Sequence, residues 1–152
     1  MSCRKPKAKD RTKKGTVIDM KENITKAELL AMAKKARESS YSPYSGISVG
    51  AALLCEDGSV FLGTNIENAA YSPCICAERA AFASAVTAGE RKFSAIAVVG
   101  GRSGEDIEKE FPPCGVCRQV MQEFCNKDFE IILSEDKVIS LGELLPFGFD
   151  FK

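Results

Sequence analysis

The chain has no histidine and no tryptophan. Without histidine there is no Ser-His-Asp triad, no Cys-His dyad and no imidazole metal ligand. Chemistry must therefore run on Cys, Asp, Glu, Lys, Tyr or a cofactor. The missing tryptophan also removes the strongest ring platform on which a polynucleotide base could stack. No apolar run reaches about 18 residues, so no membrane-spanning helix is expected. The opening residues are polar and basic with no apolar stretch after them, so no secretory leader is expected either.

Net charge is absent too: 21 Lys/Arg balance 21 Asp/Glu. The balance hides an asymmetry. Residues 1–21 hold eight Lys/Arg against Asp10 and Asp19, a net of +6, which leaves −6 for the remainder. A basic segment of this kind either meets an acidic partner or is a solvated, disordered extension. We take the second reading and place a basic tail at residues 1–23. The acidic body offers no basic groove, so no polynucleotide partner is expected. At 152 residues and 45% hydrophobic content, the rest (24–152) suits one domain with a single core.

Within that domain, Thr25 and Glu28 have capping-box spacing, and Leu29, Met32, Ala33 and Ala36 follow a helical stripe to about Ser39. "ISVGAALLC" and "VFLGTNIE" flank the turn "EDGS" as a hairpin. A second helix spans Cys76 to Ala88 and stops at Gly89. "FSAIAVVGG" and "FEIILS" read as strands, with a helix from "CGVCRQVMQEFC" between them. "KVIS" adds a short fifth strand and "LGELL" a helical turn. Strands alternating with helices predict an α/β fold, a three-layer α/β/α sandwich around a mixed five-stranded sheet.

Against these absences stand seven cysteines: Cys3, Cys55, Cys74, Cys76, Cys114, Cys117 and Cys125. The number is odd and no export signal accompanies it, so metal binding or catalysis fits better than disulfides. Cys114 and Cys117 lie three apart at a predicted helix start, on one face of its first turn. Cys76 opens another helix. Free N–H groups at helix starts stabilise thiolates. Two such starts facing each other would offer three thiolates to one ion; zinc suits that set, and three protein ligands leave a fourth position open for catalysis. Taken alone, the C-x-x-C also fits a redox dithiol or half of a zinc ribbon, and Cys74 could close the site as a fourth, structural ligand. Glu78 either complements the helix dipole or carries protons.

Cys-x-Glu followed by Pro-Cys-x-x-Cys is the pattern of zinc deaminases, with cysteine in place of histidine. "CAER" (Cys76–Arg79), "PCGVCRQ" (Pro113–Gln119) and "NIEN" (Asn65–Asn68) together resemble the cytidine deaminase family, of the small homotetrameric type. "YSPYSGISVGAALL" fits the family's first loop and strand. The resemblance runs from about residue 24 to Phe149.

The resemblance implies a zinc-dependent cytoplasmic enzyme of pyrimidine salvage. It would hydrolyse cytidine and deoxycytidine to uridine and deoxyuridine, releasing ammonia. Cys76, Cys114 and Cys117 would hold Zn²⁺, and Glu78 would move the protons. Three thiolates and Zn²⁺ sum to −1, a charge that Arg79 is expected to offset, with Arg118 as a second candidate. Asn65 and Glu67 would hold the ribose 3′-hydroxyl, and the backbone at Ala77 the pyrimidine carbonyl oxygen. Ile47 stands where the family commonly has an aromatic residue; it offers the base apolar contact without ring stacking. Tyr71 and Phe149 would reach a neighbouring subunit's site in a homotetramer, or else serve as core or interface packing. Cys3, Cys55 and Cys125 receive no role, and Cys74 is expected to be a spectator.

Three other functions use parts of the same sequence. A polynucleotide deaminase would need the basic tail for binding. A deaminase of a cytosine-containing antibiotic would keep the zinc motifs but would not need Asn65 and Glu67. A non-enzymatic zinc module would close the metal site with a fourth sulfur.

Overall fold

The computed structural model describes residues 17–18, 24–107 and 109–151. The first helix, α1 (Lys26–Arg37), begins at the expected capping box. The Glu28 N–H donates to Thr25 Oγ1 at 3.2 Å, and the Thr25 N–H donates back to the Glu28 carboxylate at 2.8 Å. Leu29, Leu30, Ala33 and Ala36 form its buried stripe. The helix stops two residues short of Ser39. Glu38, Ser39 and Ser40 instead donate to the carbonyls of Lys35, Ala36 and Arg37, a tighter i→i−3 winding at the helix end.

The hairpin follows as β2 (Ile47–Cys55) and β3 (Val60–Thr64), antiparallel to each other. Helix α2 (Ala77–Ala88) ends at Gly89, whose φ of 103° closes the helix in the left-handed region. Then come β4 (Phe93–Arg102), α3 (Gly115–Phe124), β5 (Glu130–Ile132), β6 (Val138–Ser140) and the single turn α4 (Leu141–Leu144). Strand β4 pairs antiparallel with β2 and parallel with β5, and β5 pairs antiparallel with β6. The expected mixed sheet is borne out, and all five expected strands are in it.

One strand was not expected. Val17–Ile18, β1, pairs antiparallel with Phe61 and Val60 at the free edge of β3, giving the order β1-β3-β2-β4-β5-β6. Composition assigns residues 17–18 to the tail because basic residues dominate around them; two β-branched residues are too few to announce a strand. The remainder of the tail reading, residues 1–16 and 19–23, lies outside the described residues.

Side chains alternate across the sheet. On one face Ala52, Val60, Ala95, Ala97, Val99 and Ile132 pack with Leu29, Leu30 and Ala33 of α1. On the other, Ala51, Leu53, Phe61, Ile96, Val98 and Ile131 pack with Phe82 and Ala81 of α2 and with Cys117 and Met121 of α3. Two glycines set how closely the helices approach. A Cβ on Gly50 would stand 2.1 Å from the Ala33 carbonyl oxygen of α1, and one on Gly63 would stand 2.1 Å from the Ala77 carbonyl oxygen of α2. The first turn of α2 therefore rests directly on β3. Phe82 contacts Phe93 at 5.0 Å and stacks on Phe124 at 5.7 Å, which joins α2, β4 and α3 in one apolar block.

Candidate active site and metal centre

Cys76 is the N-cap of α2 and Cys114 the N-cap of α3, both with extended backbone and neither making a side-chain cap. A cysteine at this position leaves the first amide groups of the helix unpaired and aimed outward. The two helix starts converge. Cys76 Sγ lies 3.7 Å from Cys114 Sγ, which lies 3.5 Å from Cys117 Sγ. All three sulfur atoms fall within 4.8 Å of one another. A tetrahedral ion with metal–sulfur bonds of about 2.3 Å holds its ligands about 3.8 Å apart, so the cluster fits one such ion. Cys117 is fully buried, Cys76 half-buried and Cys114 exposed, so the cluster opens to solvent on one side.

Cys74 stands outside the cluster. Its sulfur accepts from the Asn68 N–H at 3.2 Å, and its carbonyl accepts from Arg79 Nη2 at 3.0 Å. A second group, Cys55, Asp57 and Glu90, also brings ligand atoms within 4.8 Å. There, however, Asp57 Oδ1 accepts from the N–H and hydroxyl of Ser59, as a hairpin turn requires.

Charge is unevenly shared among the thiols. Hydrogen bonding with Cys117 is the chief reason the Cys76 thiol is pushed down to about 5; burial opposes this, while Arg79 and Cys114 add to it. Cys117 is pushed up in turn, first by its bond to Cys76, then by burial and by the Glu78 charge. Arg79 Nη2 sits 3.9 Å from Cys76 Sγ, and its buried Nε has no hydrogen-bond partner among the described residues. Arg118 turns elsewhere: its guanidinium donates to the carbonyls of Pro113 (2.8 Å) and Leu144 (2.9 Å), tying α3 to α4.

Glu78, in the first turn of α2, is only 4% exposed. Burial is the largest reason its carboxyl is held above the usual carboxylate range, and the Cys76 charge adds to it. Ala77, the first residue of α2, is fully buried; its N–H has no acceptor within the helix.

A second group of residues gathers at the start of β2. Asn65 Oδ1 accepts from the Val49 N–H (2.8 Å) and the Ser40 hydroxyl (2.6 Å), and Nδ2 donates to the Ile47 carbonyl (2.9 Å). One Glu67 carboxylate oxygen accepts from the N–H groups of Tyr44 (2.8 Å) and Ser45 (3.2 Å). Hydrogen bonding, first with Ser45, keeps the Glu67 carboxyl below its ordinary range against the opposing effect of burial. Ile47 packs at the edge of the main core. Tyr71 meets the second group through the Tyr44 ring, whereas Phe149 pairs with Phe151 near the end of the chain. Tyr71, at φ 55°, is 73% exposed and faces Tyr44 at 6.3 Å; Phe149 is 63% exposed and meets Phe151 at 4.9 Å. Sequence reading missed the serines around Asn65. Serine is a common residue, and no spacing along the chain signals that the hydroxyls of Ser40, Ser42, Ser48 and Ser103 meet.

Solved structures define the class. The chain is similar to the crystal structure of cytidine deaminase from Burkholderia pseudomallei, with a TM-score of 0.75 and 47% identity, covering 83% of this chain and all of that one. It is similar to cytidine deaminase from Mycobacterium tuberculosis at a TM-score of 0.75 and 34% identity, covering 85% of this chain and 100% of that one. The fold is that of the cytidine deaminases.

Sequence relatives then give the family. The family described as "Cytidine and deoxycytidylate deaminase zinc-binding region" matches residues 23–133. Cytidine deaminase from Sporosarcina psychrophila is 49% identical over 126 residues, 80% of this chain and 89% of that protein. Cytidine deaminase from Halalkalibacterium halodurans is 47% identical over 125 residues, 80% of this chain and 91% of that protein. The chain belongs to the cytidine and deoxycytidylate deaminase family and is an enzyme of the hydrolytic deaminase class.

Proposed function

We propose that the protein deaminates cytidine and deoxycytidine to uridine and deoxyuridine with release of ammonia. The observation that carries this reading is the meeting of three thiols from two helix starts beside a buried glutamate. Cys76, Cys114 and Cys117 would hold one zinc ion as thiolates. Bound there, zinc would acidify a water molecule enough to supply hydroxide near neutral pH.

Glu78 would do the proton work. Its burial favours the protonated carboxyl, so a proton taken from water is retained long enough to reach N3 of the pyrimidine ring. The same carboxylate would then pass a proton to the departing amino group. Arg79, 3.9 Å from Cys76 Sγ, would offset the negative charge that three thiolates bring. The Ala77 N–H would donate to the pyrimidine carbonyl oxygen, and Ile47 would pack on the base.

Asn65 and Glu67 suit a hydroxyl by their free valences. Val49 and Ser40 occupy both lone-pair directions of Asn65 Oδ1, which leaves an Nδ2 hydrogen to donate. Glu67 can only accept. One sugar hydroxyl, the 3′-hydroxyl in our reading, would receive from Asn65 and donate to Glu67.

Phe147, Phe149, Phe151 and Val116 are exposed. We infer that they are covered in a homotetramer whose subunits share sites, with Tyr71 and Phe149 serving the neighbour. No helix among the described residues is long and apolar enough to cross a membrane. Three thiols kept available to one ion suit a reducing compartment, and we place the enzyme in the cytoplasm, in pyrimidine salvage. The deciding experiment is an ultraviolet assay of cytidine with purified protein, alongside elemental analysis. One zinc per chain and chelator-sensitive turnover are expected; zinc-replete protein that leaves cytidine unchanged would overturn the proposal.

A further inference from the structure

Asn65 does not hold its orientation by backbone contacts alone. Its oxygen also accepts the Ser40 hydroxyl at 2.6 Å, from the tight turn that ends α1. Ser40 belongs to a chain of hydroxyls. Ser40 Oγ lies 3.3 Å from Ser42 Oγ; Ser42 Oγ lies 3.3 Å from Ser48 Oγ and 3.2 Å from Ser103 Oγ; Ser48 and Ser103 are 2.6 Å apart. The backbone around the chain is clamped by Arg37, whose guanidinium donates to the carbonyls of Ser48, Glu105 and Arg102.

A serine hydroxyl has one proton, and an amide oxygen can only accept. The short contact therefore commits the Ser40 proton to Asn65. The consequence concerns Asn65 more than Ser40. With both lone pairs of Oδ1 occupied, Asn65 can offer an incoming group only an N–H. Remove the Ser40 hydroxyl, and Oδ1 regains a free lone pair. The amide is also held by one fewer bond.

We propose that Ser40 is a positioning residue that makes Asn65 a donor-only contact and so sharpens recognition of the substrate's sugar hydroxyl. This rests on the reading of Asn65 given under Proposed function. The Ser40 hydroxyl is taken up by Asn65 and Ser42. It acts through Asn65, so its loss weakens ground-state and transition-state binding together and raises KM more than it lowers kcat.

The test compares Ser40→Thr, which keeps the hydroxyl, with Ser40→Val, which has the same shape without it. Purified full-length proteins are assayed on cytidine, and 2′,3′-dideoxycytidine is measured as a competitive inhibitor. The Val variant is expected to raise KM for cytidine about three- to tenfold over the Thr variant, the worth of one neutral hydrogen bond, with kcat within about twofold. For dideoxycytidine, which has no 3′-hydroxyl, the inhibition constants of the two variants should agree. Equal KM values for Thr and Val, or the same Val-to-Thr ratio for both ligands, would overturn the inference, the latter because a general loosening of the fold does not distinguish sugars. If the Val protein melts well below wild type, Ser40→Ala replaces it and the ratio between ligands is read in the same way. Wild-type protein without activity on cytidine would remove the functional reading itself; active wild type with indistinguishable Thr and Val variants would remove only this inference.

Discussion

Cys76 and Cys114 are 38 residues apart in sequence, yet their sulfur atoms lie 3.7 Å from each other. Each is the last residue before its helix turns, so the two helix starts fix where the backbone of both cysteines stands. Bringing thiols this close invites repulsion once they ionise, and a cation relieves it. Stripping the metal with a chelator should therefore lower the melting temperature by on the order of 10 °C, the equivalent of a ligand about 1,000-fold above its Kd. Scanning calorimetry with and without added zinc checks this. Cys117→Ser should lose the metal and show no chelator effect at all.

Glu78 should separate metal binding from turnover. It lies two residues after Cys76 and is buried, but the group of atoms that fits an ion contains three sulfurs and no Glu78 oxygen. Glu78→Gln keeps the shape and removes the proton carrier. The expected outcome is about one zinc per chain by elemental analysis, with kcat lower by about 10²- to 10⁴-fold. A variant that lost its zinc would mean that the carboxylate supports the metal site rather than the proton transfers.

Local signals made most of this legible in the sequence. Thr25 and Glu28 announced α1 because a capping box is complete within four residues. Gly89 announced the end of α2 for a similar reason. Cys114 and Cys117 fall on one helical turn by spacing alone, whereas the approach of Cys76 to 3.7 Å from Cys114 Sγ is a matter of tertiary packing that no local signal carries. Edge strand β1 was not legible, since Val17 and Ile18 gain their pairing from β3 and not from their neighbours in sequence. The link from Ser40 to Asn65 was hidden for the same reason: it spans 25 residues and uses residue types found in any loop.

Glu67 gives a pH dependence with a defined sign. Hydrogen bonding keeps its folded carboxyl below the ordinary value of 4.5. A depressed carboxylate adds stability that is fully present above the unfolded value and is lost as pH falls through the folded one. The wild type should therefore be more stable than Glu67→Gln by a constant margin from neutral pH down to about 4.5, and that margin should shrink below it. Melting temperatures of both proteins between pH 7 and pH 3, on a scale of about one pH unit per step, test the sign. A margin that grew on acidification would contradict the bonding of Glu67 to Tyr44 and Ser45.

Glycine at position 63 is required by the site even though it touches no thiol. A Cβ there would meet the Ala77 carbonyl oxygen at 2.1 Å and the Ala81 nitrogen at 2.5 Å, both backbone atoms of α2. Neither can give way unless the helix start shifts, and Cys76 shifts with it. Gly63→Ala should cost about 2 kcal/mol or more by overpacking and should lower zinc occupancy with it. Gly115 is the matching control. It lies between the helix cap Cys114 and the rest of α3, and a Cβ there would meet nothing within 4 Å. Gly115→Ala should keep its zinc and be as stable as wild type or up to about 1 kcal/mol more stable, because alanine loses less backbone freedom in a helix. Urea unfolding with parallel zinc analysis compares the two. Equal tolerance at both positions would show that β3 does not set the place of α2, and the convergence of the thiols would then need another cause.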